Sequence, residues 1–365
     1  MAGRRTPLHS LHVAAGARIV DFAGWEMPQQ YSSVKEEQEA VRTGAGLFDV
    51  SHMGRYEVRG DGAGAFLQGV VTNDVGRVEP HRAQYTLLCR PDGGIVDDLV
   101  VYRGEDSWLV VVNAGNREKD LAWLRERTPA GVDVVDRSDE LALLALQGPG
   151  AARLLPAEGI DISALGYFGT AEGFIAGAPS LISRTGYTGE DGFELFVATA
   201  RAGTVWTALV EAGARPCGLA ARDVCRLEAG LRLYGSDMDE ETNPYEAGLG
   251  WTVKLAKGDF VGREALRRIK EVGAHRELVG LGCADRTIPR HGAAVSLGNR
   301  TIGEVTSGTY SFWLSRGIAM ASVEARAVPV GGQVGVATRS GEAVAEVVPL
   351  PFYRGSARRT AVAKG

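Results

Sequence analysis

After about residue 275 the sequence changes its period, and this limits what the chain can fold into. Short alternating apolar and polar segments occupy 277–283, 292–296, 301–306, 317–323, 333–338 and 343–348, separated by Gly, Pro and Asn. Alternation places every second side chain on one face, so such segments with turns between them predict a small all-β barrel or sandwich. The boundary falls near Glu271-Val-Gly-Ala274. Before it, helical and strand patterns mix. Ser33-Val-Lys-Glu36 is a capping-box pattern that opens a helix to about Arg42. Arg55–Arg59 alternates as a strand, and a helix carrying Phe66 and Val70 follows it. Strands are predicted near 84–90, 95–103 and 107–113, the last two joined as a hairpin by Gly104-Glu-Asp106. Asn116 is a candidate cap for a helix through Arg125 with Leu121 and Leu124 facing inward. Strand-like 132–135 and 141–146 precede helices at 201–212, 219–230 and 262–270. The fold class is α+β with a C-terminal β module. A length of 365 residues leaves room for two or three domains.

Two stretches of the body carry residues out of keeping with their surroundings. Gly93-Gly-Ile-Val-Asp-Asp-Leu-Val-Val-Tyr-Arg103 reads as a strand entered from a turn at 91–94. Its apolar residues occupy both faces, so the strand is covered on both sides. Asp97 and Asp98 then point in opposite directions. Each needs a partner or a role, unless the pair sits at a wet strand end or bonds to backbone amides. Arg184-Thr-Gly-Tyr-Thr-Gly-Glu-Asp-Gly-Phe-Glu194 is a Gly-rich turn running into the strand-like Phe193–Val197. It delivers Tyr187 and Glu194 toward a pocket, or it is a solvent-exposed hairpin turn.

These stretches belong to a longer series: Phe22–Pro28, Phe48-Asp-Val-Ser-His-Met53, Thr72-Asn-Asp74, the Asp97-Asp98 strand and Val112-Asn-Ala-Gly115, followed by Ala145–Pro149, the Arg184–Gly192 run, Gly218–Asp223, Arg226–Gly235 and Gly303–Gly308. With this series, in this order, the chain resembles the aminomethyltransferase (T-protein) family of the glycine cleavage system. The resemblance implies three domains in a cloverleaf around a central folate channel. The expected body is 1–272, with 1–50 and 140–272 forming one subdomain and 51–139 inserted as another; 273–365 is the β-barrel domain. It further implies transfer of an aminomethyl group from the lipoyl arm of a partner, the H-protein, to tetrahydrofolate. Methylenetetrahydrofolate, ammonia and dihydrolipoyl protein are the products. Such chemistry needs a carboxylate beside the folate nitrogens that attack the one-carbon unit.

Carried over residue by residue, the family's key aspartate matches Asp98, leaving Asp97 structural; the residues alone do not choose between them. Glu194 and Arg222 match folate-contacting positions. A carboxylate suits adjacent N–H donors of a pterin, and a guanidinium suits its acceptors. Met53, Tyr85, Asn113, Tyr187 and Tyr234 match positions of the ligand wall, where aromatics stack on flat rings. Tyr234–Asp239 also reads as a helix-terminating turn. Arg226 and Glu228 are expected to be surface or intrahelical charges. Arg354 is placed to hold the glutamate tail of folate, with Arg358 and Arg359 as a solvated tail.

Other properties narrow the class. A net charge of −5 argues against a mainly nucleic-acid-binding surface. The four cysteines form no C-x-x-C pair and the six histidines no metal-ligand cluster, so no metal is expected and the thiols are read as reduced and mostly buried. No apolar run approaches the roughly 20 residues of a membrane span. The basic N-terminus lacks an apolar core, and the resemblance begins near Thr6, so a cytoplasmic protein is expected. A folate-binding relative that supports iron–sulfur maintenance without transferase activity carries a Lys-Gly-Cys-Tyr motif. Here that stretch reads Lys257-Gly-Asp-Phe, with Asp259 in place of the cysteine. The flavin-linked dehydrogenases of the same lineage need a dinucleotide fingerprint. Gly62-Ala-Gly-Ala-Phe-Leu67 lacks its third glycine, so no flavin is expected.

Overall fold

The computed structural model describes residues 3–339 and 341–357; Arg358 and Arg359 lie outside them. An antiparallel sheet runs Arg82–Cys89, Ile95–Arg103, Ser107–Val112, Gly54–Arg59, Asp133–Asp136. On the strand Ile95–Arg103, Leu99 and Val101 pack with Phe66 and Leu67 of the helix Ala63–Val70 and Leu124 of the helix Arg117–Glu126. Val100 and Tyr102 turn the other way, against Phe48, Leu143 and Phe196 of a second sheet. The strand is therefore covered on both faces, as its composition indicates.

The second sheet is ordered Ala157–Glu158, Thr170–Ile175, Ala178–Ser183, Gly192–Ala198, Leu141–Gln147, Gly46–Asp49, Arg215–Pro216. The chain enters it at Gly46–Asp49, leaves to build the first sheet, and returns antiparallel beside its entry strand at Leu141–Gln147. Leu144, Leu146, Leu195 and Val197 line its outer face against Val205, Trp206 and Leu209 of the helix Ala202–Glu211. The hairpin Thr170–Ile175/Ala178–Ser183 has no counterpart in the sequence reading. Its Gly, Pro, Ala and Glu are poor strand formers, and its pairing is set by the neighbouring Gly192–Ala198.

The C-terminal segments close into an antiparallel barrel in the order Arg276–Cys283, Arg316–Glu324, Arg300–Ser311, Ala294–Leu297, Gln333–Thr338, Gly341–Val348, the last pairing back to the first. Val295, Val305, Ala321, Val336 and Val347 fill it. Among the described residues no helix is long and apolar enough to cross a membrane. All four cysteines are free and buried.

Local signals hold where their partners are local. Ser33 Oγ accepts from Glu36 N at 3.2 Å and starts the helix Val34–Thr43. Asn116, by contrast, does not cap Arg117–Glu126; its amide donates to Asp97 Oδ1 at 2.7 Å instead. A cap would use the amide oxygen of Asn116 as acceptor for a helix N–H; the buried carboxylate, by taking the amide N–H, orients the side chain toward itself instead. Arg226 and Glu228 also depart from the expected surface charges. Arg226 does form the intrahelical pair with Asp223 at 2.8 Å, yet both Arg226 and Glu228 are buried, at 2% and 0% exposed. Their helix, Leu219–Glu228, lies between the helix Val34–Thr43 and the barrel strand Arg300–Ser311. Arg226 reaches Asp237 Oδ2 at 2.5 Å and Ser307 Oγ at 2.9 Å. The helix ends at Gly230 (φ +64°), where Leu231 N bonds Arg226 O and Gly230 N bonds Leu227 O. The turn at Tyr234–Asp239 is a separate feature that ends no helix.

Candidate functional site

Asp97 and Asp98 do face opposite ways. Asp97 is 0% exposed and accepts from Asn113 N at 3.1 Å, Asn113 Nδ2 at 2.9 Å and Asn116 Nδ2 at 2.7 Å. Asp98 is partly accessible on the opposite face. Tyr85, from the paired strand, donates its hydroxyl to Asp98 Oδ2 at 2.9 Å, and Asn113 Nδ2 donates to Asp98 Oδ1 at 2.7 Å. Burial, reinforced by the negative charge of Asp97, raises the Asp98 pKa to about 7 against the pull of these two donors. Burial and the neighbouring Asp98 push Tyr85 well above the usual phenol range, so it stays a donor. A carboxyl group that titrates near neutrality, held from two sides and open on one, is suited to accept a proton or stabilise nearby positive charge.

The Gly-rich run is not an exposed turn: Arg184, Thr185, Thr188 and Glu190 are all buried. Two of its glycines are required by space and conformation. A side chain on Gly186 would sit 1.9 Å from Gln147 Oε1, and Gly189 has φ +80°. Arg184 anchors the run by a two-pronged pair with Asp191, at 2.8 and 2.6 Å. The run brings Tyr187 into the site; Glu194 stands on the following strand, Gly192–Ala198. Glu194 accepts from Thr185 Oγ1 at 2.5 Å and Tyr102 Oη at 3.2 Å. Both contacts use its Oε2, which leaves Oε1 for a ligand.

Arg222 stands over the Tyr187 ring, 4.7 Å from its centroid. Its Nη1 is buried and donates to nothing among the described residues, so the site offers an unmet hydrogen-bond donor. Burial lowers the Arg222 pKa, with Glu194 and Tyr187 opposing. Tyr187 is fixed by a hydrogen bond from its hydroxyl to Arg232 O and lies close enough to Asp98 for their charges to interact. Met53 packs in the layer between the two sheets. Tyr234 is committed elsewhere: its hydroxyl donates to Ile95 O at 3.1 Å and accepts from Lys119 Nζ at 3.0 Å. Arg354 is exposed, between Tyr353, whose N bonds Glu228 O, and Ser356, whose hydroxyl and N bond Glu190. Hydrogen bonds, a ring contact and charge proximity bring Asp98, Tyr85, Asn113, Tyr187, Arg222 and Glu194 together, and Tyr234 packs in the apolar cluster that includes Tyr85.

Trp251 is absent from the sequence reading. It is 58% exposed and stacks on Tyr85, with centroids 5.9 Å apart and planes at 24°. An exposed aromatic stacked on a residue that holds Asp98 offers a flat ligand a second ring face. Nothing in Gly250-Trp-Thr252 signals this, because the stacking partner is more than a hundred residues away. Lys257 is held in a structural role, its ammonium donating to Gln68 O and Val71 O at the end of the helix Ala63–Val70.

Residues 8–257 match the family described as the GCVT N-terminal domain, and residues 276–354 match the glycine cleavage T-protein C-terminal barrel domain. An aminomethyltransferase of Geobacillus kaustophilus is 51% identical over 96% of this chain and 99% of its own length. That of Bacillus subtilis is 46% identical over the same shares. The crystal structure of glycine cleavage system aminomethyltransferase T from Bartonella henselae superposes with a TM-score of 0.92 at 35% identity, covering 98% of this chain and 99% of that one.

Proposed function

The chain belongs to the glycine cleavage T-protein family of aminomethyltransferases, and from that premise we propose that it moves the aminomethyl group of lipoylated H-protein to tetrahydrofolate. The products are methylenetetrahydrofolate, ammonia and dihydrolipoyl protein. The observation that carries this reading is Asp98: a partly accessible carboxyl with a pKa near 7, fixed by Tyr85 and Asn113. In this reading Asp98 accepts a hydrogen bond from a folate nitrogen, orients it for attack, and stabilises positive charge on the transferred carbon. Glu194 Oε1 takes N–H donors of the pterin, and Arg222 Nη1, buried without a partner, takes an acceptor of the same ring. Tyr187, Tyr85 and Trp251 supply ring faces, Met53 an apolar wall, and Asn113 acts on the substrate only through Asp98. Tyr234 closes the wall by its ring alone.

The proposed partition follows sheet membership. Residues 1–50 with 140–272 carry the seven-stranded sheet, 51–139 carry the five-stranded one, and the barrel begins near 273. The bacterial relatives support a cytoplasmic place of action.

The deciding experiment is methylenetetrahydrofolate formation from tetrahydrofolate and aminomethyl-loaded H-protein. Turnover is expected. Folate binding without turnover would turn the reading to a folate-binding protein of the same fold that supports iron–sulfur maintenance. The exposed Arg354 is proposed to hold the glutamate tail of folate. Arg354→Ala should weaken polyglutamylated folate at low salt and leave the monoglutamate nearly unchanged, because exposed charge pairs are screened as salt rises. Equal titration curves for the two proteins at low salt would remove the tail-clamp role.

A further inference from the structure

Behind the reactive carboxyl lies a second acid that no step above uses. Asp120, on the helix Arg117–Glu126, is 0% exposed, and neither of its carboxyl oxygens receives a hydrogen bond among the described residues. Its carboxyl lies within hydrogen-bonding reach of Asp97. Two buried carboxylates in contact need a cation or a proton between them. Neither basic neighbour on the same helix serves. Lys119 sends its ammonium to Val96 O at 2.7 Å, Tyr234 Oη at 3.0 Å and Glu240 Oε1 at 3.2 Å. Arg117 points to Asp136 and Asp139, at 3.9 and 3.7 Å.

The remaining solution is a shared proton, and the donor sets say which partner holds it. Asp97 already accepts three N–H bonds, so its oxygens are placed as acceptors. Asp120 accepts none among the described residues, so it is the acid. We propose that Asp120 is a positioning residue for the aminomethyl transfer: it donates its carboxylic O–H to Asp97, and Asp97, through the Asn113 amide that also holds Asp98, fixes the reactive carboxyl. The inference rests on the functional reading above for the role of Asp98, but not for the shared proton.

Asn113 Nδ2 donates to Asp97 Oδ1 at 2.9 Å and to Asp98 Oδ1 at 2.7 Å, so a shift of Asp97 moves the donor on which Asp98 depends. Burial, with Asp97 next to it, pushes Asp120 far above the ordinary carboxylate range. The titratable groups whose charge reaches it are Asp97, in contact with it, and Asp98 from Ile95–Arg103, Tyr56 from Gly54–Arg59, and Lys119 from its own helix. Because its pKa is raised on folding, the folded state holds a proton that the unfolded chain has lost above the usual aspartate range. Stability from this group therefore falls as pH rises from that range through neutrality.

Asp120→Asn keeps the shape and supplies an N–H donor to Asp97 without the titration; Asp120→Ala removes the donor. Two readouts decide. The midpoint of thermal unfolding of Asp120→Asn, minus that of the parent, should grow steadily from about pH 5 to about pH 9. A difference that does not grow across this range, whatever its sign, would mean that Asp120 is ionised in the fold, and would overturn the shared proton. In turnover, Asp120→Ala should lose about tenfold or more in kcat with KM for tetrahydrofolate little changed, and Asp120→Asn should recover most of that loss. Parent-like kcat in Asp120→Ala would overturn the positioning role. If the parent itself shows no turnover, the functional reading fails, and the positioning role for aminomethyl transfer falls with it; the unfolding series still decides where the proton resides.

Discussion

Asp98→Asn is expected to lose roughly 10²–10⁴-fold in turnover while keeping its fold and its affinity for tetrahydrofolate. The asparagine fills the same volume on a strand paired on both sides, so folding has little to lose. Tyr85 still finds an oxygen acceptor. What disappears is the charge that accepts a proton and steadies a cationic carbon. The pH profile gives a second readout. With the Asp98 pKa near 7, the carboxylate fraction of the parent rises through neutrality, and kcat should climb with it. The residual activity of Asp98→Asn should lack that limb. Turnover of the variant within a few-fold of the parent, measured with saturating H-protein and tetrahydrofolate, would remove Asp98 from the mechanism.

Arg42→Leu should destabilise the protein by about 3–5 kcal/mol, the range found when one partner of a buried ion pair is removed. The Arg42 side chain is fully buried. It donates to Glu228 Oε2 at 2.5 Å from Nη2 and 3.1 Å from Nε, and to Glu190 Oε1 and Thr188 O at 2.9 Å from Nη1. The Tyr353 ring covers it, 4.3 Å away. Without Arg42, Glu190 and Glu228 lose their one ion-pair partner among the described residues. Glu228 is also bonded by Gln38 and by Ser311 of the barrel. One guanidinium therefore ties the helix Val34–Thr43, the helix that carries Arg222, the Gly-rich run and the barrel. Chemical denaturation should show the loss, and Arg42→Leu combined with Glu228→Gln should recover part of it, because the removed charge no longer needs a partner. A midpoint equal to the parent's would mean that water or rearrangement compensates the carboxylates.

How much of this was legible in the sequence depends on the distance between a residue and its partners. The strand Ile95–Arg103 announces itself because apolar residues on both faces need no knowledge of what covers them. The same alternation tells that Asp97 and Asp98 part company, but not which one faces the ligand; that choice came from the family resemblance. Asp120 left a weak trace. It stands four residues before the inward-facing Leu124, on the stripe of the helix that should be apolar. A polar residue on that stripe signals a buried partner.

The sequence by itself determined most of the element types, an all-β C-terminal module, the alternation that parts the two aspartates, and the family, because these follow from period, capping and motif order along the chain; the hairpin Thr170–Ile175/Ala178–Ser183 and the closure of the barrel do not. Only the tertiary structure decided which charges are buried. Arg226 and Glu228 carry the marks of a solvated helix face, yet a helix from the N-terminal region and a barrel strand from the C-terminal region close over them. Trp251 reaches Tyr85, and Asn116 abandons its helix for Asp97, for the same reason. The free energy of a charge or a donor depends on the dielectric and the partners around it, and those are supplied by segments far away in the chain.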